Sequence, residues 1–228
     1  MKNKMMRFGA KTVALILVIV LAVGSLVGGT VAWLITKTDP VVNTFTYGDI
    51  NITLDETDVD NDGNALENTY EMVPGSEIVK DPVVTVLKGS EACWLFVKLE
   101  KNGGATVDGT TYDFDDYLTY EMASGWTQLV DANGDPVEGV FYREVDAIPE
   151  SGADAEFNVL KDDKVQVKGE VTKEMMNALD AVQGSETYPT LTVTAYGVQK
   201  ANIDTVQEAW ALIDAEYINP APPATTAP

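Results

Sequence analysis

Any chemistry in this chain has to come mainly from carboxylates. Asp58-Val59-Asp60-Asn61-Asp62-Gly63-Asn64 sets oxygen ligands at alternating positions with a glycine at the sixth. Hard cations want clustered carboxylates and a sharp turn, so Asp58, Asp60 and Asp62 read as the first half of a calcium loop. The second half departs from that pattern. Its twelfth position is Thr69, where a bidentate Glu belongs, and no helical pattern flanks the loop. Glu67 or Glu71 would have to substitute from a different geometry, and the alternative is a solvated acidic loop. Asp131, Asn133 and Asp135 form a thinner cluster that reads as turn chemistry. Asp113, Asp115 and Asp116, spaced around Phe114, read as a solvated face.

The 228 residues include no histidine. That excludes a Ser-His-Asp triad, a Cys-His pair and His-ligated zinc. A carboxylate pair for glycoside hydrolysis remains open among 36 acidic residues, but nothing singles out a pair. The single cysteine, Cys93, excludes an intramolecular disulfide. It lies beside Trp94 in an apolar run with no basic neighbour, so it reads as a buried, inert thiol. No catalytic residue is expected, and no cofactor other than a calcium ion.

Charge divides the chain. The formal net charge is −21, yet Lys2, Lys4, Arg7 and Lys11 all precede a long apolar run and no acid occurs before Asp39. Beyond residue 32 the chain keeps 11 basic groups against all 36 acidic ones, a charge of −25. A body this acidic repels polyphosphate, which excludes a nucleic-acid partner. From Thr12 to Thr36 there is no charge at all, and Thr30-Val31-Ala32 places small residues where a signal peptidase reads. A basic start, an apolar helix and a small-residue site describe a secretory signal over residues 1–32, cut between Ala32 and Trp33. The alternative is a retained membrane anchor, since roughly 20 apolar residues span a bilayer. Either way the acidic body lies outside the membrane, because the positive flank stays inside.

The elements that must position these residues are mainly strands. Ile50–Leu54 alternates with period two, and an Asp/Asn-rich loop follows to Val73. Pro74-Gly75-Ser76 marks a turn, and Ile78–Leu87 is a β-branched run whose Pro82 argues for an edge or a bulge. Cys93–Leu99 is the strongest strand, with Trp94 and Phe96 on one side and Cys93, Leu95, Val97 and Leu99 on the other. Leu118–Met122, Trp126–Val130, Val140–Val145, Glu156–Leu160, Val165–Val167 and Thr190–Val198 follow as strands. Asp131–Pro136 is a hairpin turn around Asn133-Gly134, and Lys161–Lys164 a polar break. Thr172–Ala181 and Thr205–Ile213 read as helices set on loops or over an edge. Some nine or ten short strands predict an all-β, two-sheet β-sandwich with one or two short helices, preceded by the signal helix.

Once the signal is removed, the new N-terminus is apolar and β-prone. Trp33, Leu34, Ile35, Val41, Val42 and Phe45 would form an exposed strand unless it pairs. It can pair within its own sheet or insert at the edge of a neighbouring subunit.

Gly28-Gly29-Thr30-Val31-Ala32-Trp33, followed by Asn43-Thr44-Phe45-Thr46-Tyr47-Gly48-Asp49 and Ile50–Leu54, resembles the start of the TasA/camelysin family. These are secreted bacterial proteins whose signals are processed by a SipW-type signal peptidase. Pro74-Gly75-Ser76, Cys93–Lys101 and Thr192–Tyr196 fit the family's later turn and core strands. The resemblance implies a jelly-roll-like sandwich exported to the cell surface or biofilm matrix of a Gram-positive-type bacterium. It implies self-association into fibres, with residues 33–46 as the donor strand, and contact with other matrix components. The division that follows is a signal peptide over 1–32, a mature N-terminal strand over 33–46, a sandwich over 47–218 and a disordered Pro/Thr/Ala tail over 219–228. Camelysin has been described as a metallopeptidase, and a chain without histidine or HExxH argues against that activity here. The expectation is therefore a structural protein. The alternatives are a camelysin-like metallopeptidase and a calcium-dependent adhesin or binding module.

Overall fold

Strand β5 (Cys93–Asn102) is buried on both faces for most of its length, and the architecture follows from that. Leu95, Val97 and Leu99 join one apolar cluster while Trp94 and Phe96 join another. A sheet built around such a strand needs a cover on each side. The computed structural model describes residues 35–37, 50–65, 67–181 and 187–219, and supplies both covers.

The central sheet has five antiparallel strands. β13 (Thr190–Gln199) pairs with β5 along its whole length, from Thr190↔Asn102 to Gln199↔Cys93. β10 (Pro136–Val145) pairs on the other side, from Val145↔Cys93 to Val140↔Lys98. β1 (Ile35–Lys37) forms one edge on β13, and β9 (Thr127–Val130) the other edge on β10.

Two smaller sheets cover the first face. One has β4 (Val83–Val86) between β2 (Ile52–Asp55) and β11 (Ala155–Asn158). The other has β12 (Leu160–Val167) between β3 (Glu77–Val79) and β8 (Leu118–Met122). Their Ile52, Val84, Val86, Leu160, Val165 and Val167 are buried in one core with Leu95, Val97 and Ala195. Each such side chain contributes about 1.5–3 kcal/mol by leaving water. The molecule is an all-β sandwich, as its strand pattern predicts.

A helix covers the second face, where the sequence pattern suggested a loop or an edge. In α3 (Val206–Ile213), Val206, Ala209 and Ile213 repeat at helical spacing and are all buried. They pack with Trp94, Phe96, Leu129, Val140, Tyr196 and Val198. Trp210 adds ring contacts to Phe96 at 5.5 Å and to Tyr196 at 6.0 Å. Thr205 and Glu208 close a reciprocal capping box at the helix start. α2 (Lys173–Ala181) begins at Thr172, whose hydroxyl accepts from the Met175 N–H at 3.2 Å.

Three local readings are corrected. Ile78–Leu87 is two strands, β3 and β4, in different sheets. Pro82 breaks the run, lacks an N–H to continue a ladder, and uses its carbonyl to accept from Val159. Lys161–Lys164 lies inside β12, where Asp162 and Asp163 take φ of 55° each and the pairing with β8 shifts register. The polar stretch is thus a bulge, which Asp tolerates better than most residues. Finally, Gly104–Asp116 carries structure that alternation alone did not indicate. β6 (Gly104–Val107) and β7 (Thr110–Asp113) form a hairpin through Asp108 at φ 48° and Gly109 at φ 82°. The single-turn α1 (Phe114–Tyr117) follows; Asp113, Asp115 and Asp116 are exposed, as read from the sequence, and Asp113 and Asp116 also form its capping box.

Candidate functional site

The N-terminal strand and the strand it rests on come first. β1 pairs antiparallel with β13 at Ile35↔Val198, Thr36↔Gly197 and Lys37↔Tyr196. It is three residues long and lies at the sheet edge. β13 beneath it is fixed from both faces. Tyr196 and Val198 are buried against α3, while Gly197 lies under Ile50, where a β-carbon would come 3.0 Å from Ile50 Cγ2. The edge that β1 covers is therefore set by the two cores and not by β1. Of the predicted assembly residues only Ile35 is among those described. Trp33, Leu34, Val41, Val42 and Phe45 lie outside them, as do Ala32, the rest of the predicted signal segment 1–32 and the tail from 220 onward. No helix among the described residues is long and apolar enough to cross a membrane.

The acidic loop is the second feature. Asp58, Asp60 and Asp62 each bring a carboxylate oxygen within 4.8 Å of the others. The backbone turns back on itself through Asn61 at φ 60° and Gly63 at φ 89°. Asp58 accepts from the Asn61 N–H at 2.7 Å and the Gly63 N–H at 3.0 Å. Asp62 accepts from the Asn64 N–H at 2.7 Å. Thr69, where a calcium loop carries its glutamate, closes the ring through its backbone, donating its N–H to Asp60 at 2.8 Å. That bond holds the Asp60 carboxyl below its ordinary range. Neither Glu67 nor Glu71 joins the carboxylate group.

Two latches in this region had no local sequence signal. Asn68 accepts from the Val59 N–H at 2.8 Å and donates to the Thr57 carbonyl at 2.9 Å. Asp81 accepts from the Thr57 N–H at 3.0 Å and its hydroxyl at 2.6 Å, across 24 positions of sequence. Near them Lys80 pairs with Glu56 at 2.9 Å, and Tyr70 donates to the same carboxylate at 2.7 Å. Burial first, and then that bond, push the Tyr70 hydroxyl well above its ordinary range.

Asp131, Asn133 and Asp135 are turn chemistry. Asp131 accepts from the Asn133 N–H at 2.8 Å and the Asp135 N–H at 2.9 Å. These bonds, that from Asp135 foremost, lower its pKa. Cys93 is buried, and desolvation pushes its thiol up to about 12, so little thiolate forms near neutrality.

No protein-family model, no curated protein and no solved structure matches the chain.

Proposed function

We propose that the chain is an exported structural protein of the cell surface or extracellular matrix, of the TasA/camelysin type. In this reading a SipW-type peptidase cuts after Ala32, and the mature N-terminal strand, residues 33–46, passes to the next copy to build fibres. A jelly-roll arrangement of the sandwich belongs to the same reading. One observation carries it: Ile35–Lys37, directly after the proposed cut, is a three-residue strand at the edge of the central sheet. A short edge strand has few ladder bonds to break, and β13 stays fixed by its two cores when the strand leaves. A second copy then offers the same strand to the same edge, which makes a head-to-tail contact that repeats without closing.

Electron microscopy of the mature protein tests this. Filaments are expected from the mature chain and none after deletion of residues 33–42. A free peptide of residues 33–46 should cap growth. Filaments persisting in the deletion would sink the strand-donation reading.

The acidic loop favours a second reading, a calcium-dependent binding module, because Asp58, Asp60 and Asp62 converge. Calorimetry with calcium is expected to give heat that Asp60→Ala removes. No heat at millimolar calcium removes this reading.

A further inference from the structure

The central sheet opens between β5 and β10. Their ladder stops at Val140↔Lys98. Gly139, at φ 68°, comes so near β5 that a β-carbon there would lie 2.2 Å from the Leu99 carbonyl oxygen. Beyond it the two strands no longer pair, while β5 continues to Asn102 with β13 at its other side. Gln128 on β9 fixes this divergence, donating its amide to the carbonyls of Val137 at 2.6 Å and Val140 at 3.0 Å. The opening is a groove of about 590 Å³, within the usual range for ligand sites.

Its lining narrows the ligand class. Phe141 supplies aromatic surface; Tyr120, whose ring already meets the Lys101 ammonium at 5.6 Å and Phe114 edge-on at 6.4 Å, supplies its hydroxyl, and Asn102, Gln128 and Glu138 supply further polar groups. The two lysines on the wall are already engaged, Lys98 with Glu100 and Lys101 with Asp115, at 2.8 Å each. That leaves Glu138 as the uncompensated charge among the described residues of the wall, so the groove is no cation-lined anion site. Among the described residues, the side chains of Asn102 and Glu138 and the Tyr120 hydroxyl make no hydrogen bond within the protein.

An anionic polymer is opposed by the charge of the body. An apolar ligand finds too little apolar wall. A neutral sugar chain fits both constraints. Its C–H faces suit aromatic rings, and its hydroxyls both donate and accept, which matches amides, a carboxylate and a phenol. We propose that this groove binds a neutral hexopyranose chain, independently of fibre formation.

The test is an NMR titration of the purified protein at low salt with cellotetraose, maltotetraose and fully N-acetylated chitotetraose as separate neutral probes. At least one probe should shift resonances of residues 98–102, 119–121 and 136–141. Asn102 and Glu138 are exposed, so the N102A/E138A double variant keeps the fold. It should weaken binding about tenfold or more, and Tyr120→Ala should weaken it further. The proposal is overturned if no probe shifts these residues at millimolar concentration, or if the double variant binds as well as the parent. It is also overturned if a capped peptide of alternating Thr and Val displaces the sugar at equal concentration, which would make the gap a strand-docking slot.

Discussion

Gly134 and Gly139 lie on the same hairpin, both at positive φ, yet their surroundings differ. Nothing lies within 4 Å of a β-carbon built at Gly134, whereas one at Gly139 would overlap the Leu99 carbonyl. Gly134→Ala should cost about 1–2 kcal/mol, the left-handed backbone alone. Gly139→Ala carries the same strain and must also part β5 from β10, so its loss should exceed that of Gly134→Ala by at least about 1 kcal/mol. Urea unfolding midpoints of the two variants decide this, and equal losses would contradict the close approach. Asp60 gives a pH prediction at the same scale. Its folded pKa is depressed, so the bond from Thr69 adds stability above the unfolded value and loses it as pH falls through the folded one. Carboxyl NMR should place the Asp60 midpoint below the ordinary 3.8, with the Thr69 amide losing protection as it is passed. A midpoint at or above 3.8 would remove the closing bond from the account of this loop.

Among the elements, α3 packs on the second face of the central sheet and shares a core with it. Ile213 is fully buried and holds the helix to a sheet face that includes Trp94 and Phe96. Ile213→Ala should cost roughly 2–5 kcal/mol, and Thr205→Ala about 1 kcal/mol through loss of the cap. Near-ultraviolet circular dichroism should register both through Trp94 and Trp210, and a surface-like loss below about 0.5 kcal/mol for Ile213→Ala would deny the second core. The helix and its start were legible in sequence because Thr205, Glu208 and the apolar spacing act locally. The alternation of Cys93–Leu99 likewise predicted a strand, but not that both of its sides would be buried. Where α3 docks was not legible, since an amphipathic face does not name its partner. Pro82 showed that a run of β-branched residues was interrupted, but not that its halves would enter separate sheets. The Asp108-Gly109 turn and the Asp113/Asp116 box are local signals that hydrophobic alternation passes over, because both are written in polar residues. Asp58, Asp60 and Asp62 were legible as a cluster. The groove at Tyr120 was not, because β5, β8, β9 and β10 each contribute a few ordinary residues to it.

At the scale of the whole molecule, charge would set the terms for the proposed assembly. With residues 1–32 removed each copy carries −25, and passing a strand between copies brings two such bodies into contact. The strand itself, 33–46, contains Lys37 and Asp39 as its only charged residues and so neither opposes nor drives the approach. The barrier is body against body. At ionic strength near 0.01 M the repulsion reaches about 30 Å, and near 0.15 M only about 8 Å. Self-association in the proposed reading should therefore be slow at low salt and accelerate as salt rises. Light scattering at matched protein concentration across that range is the measurement. If calcium also binds at Asp58, Asp60 and Asp62, it should accelerate assembly beyond magnesium at equal ionic strength, and Asp60→Ala should erase the difference while leaving the salt response. A rate that does not change with ionic strength would show that body repulsion does not control association. The strand's departure from its own β13 edge would then be the slow step.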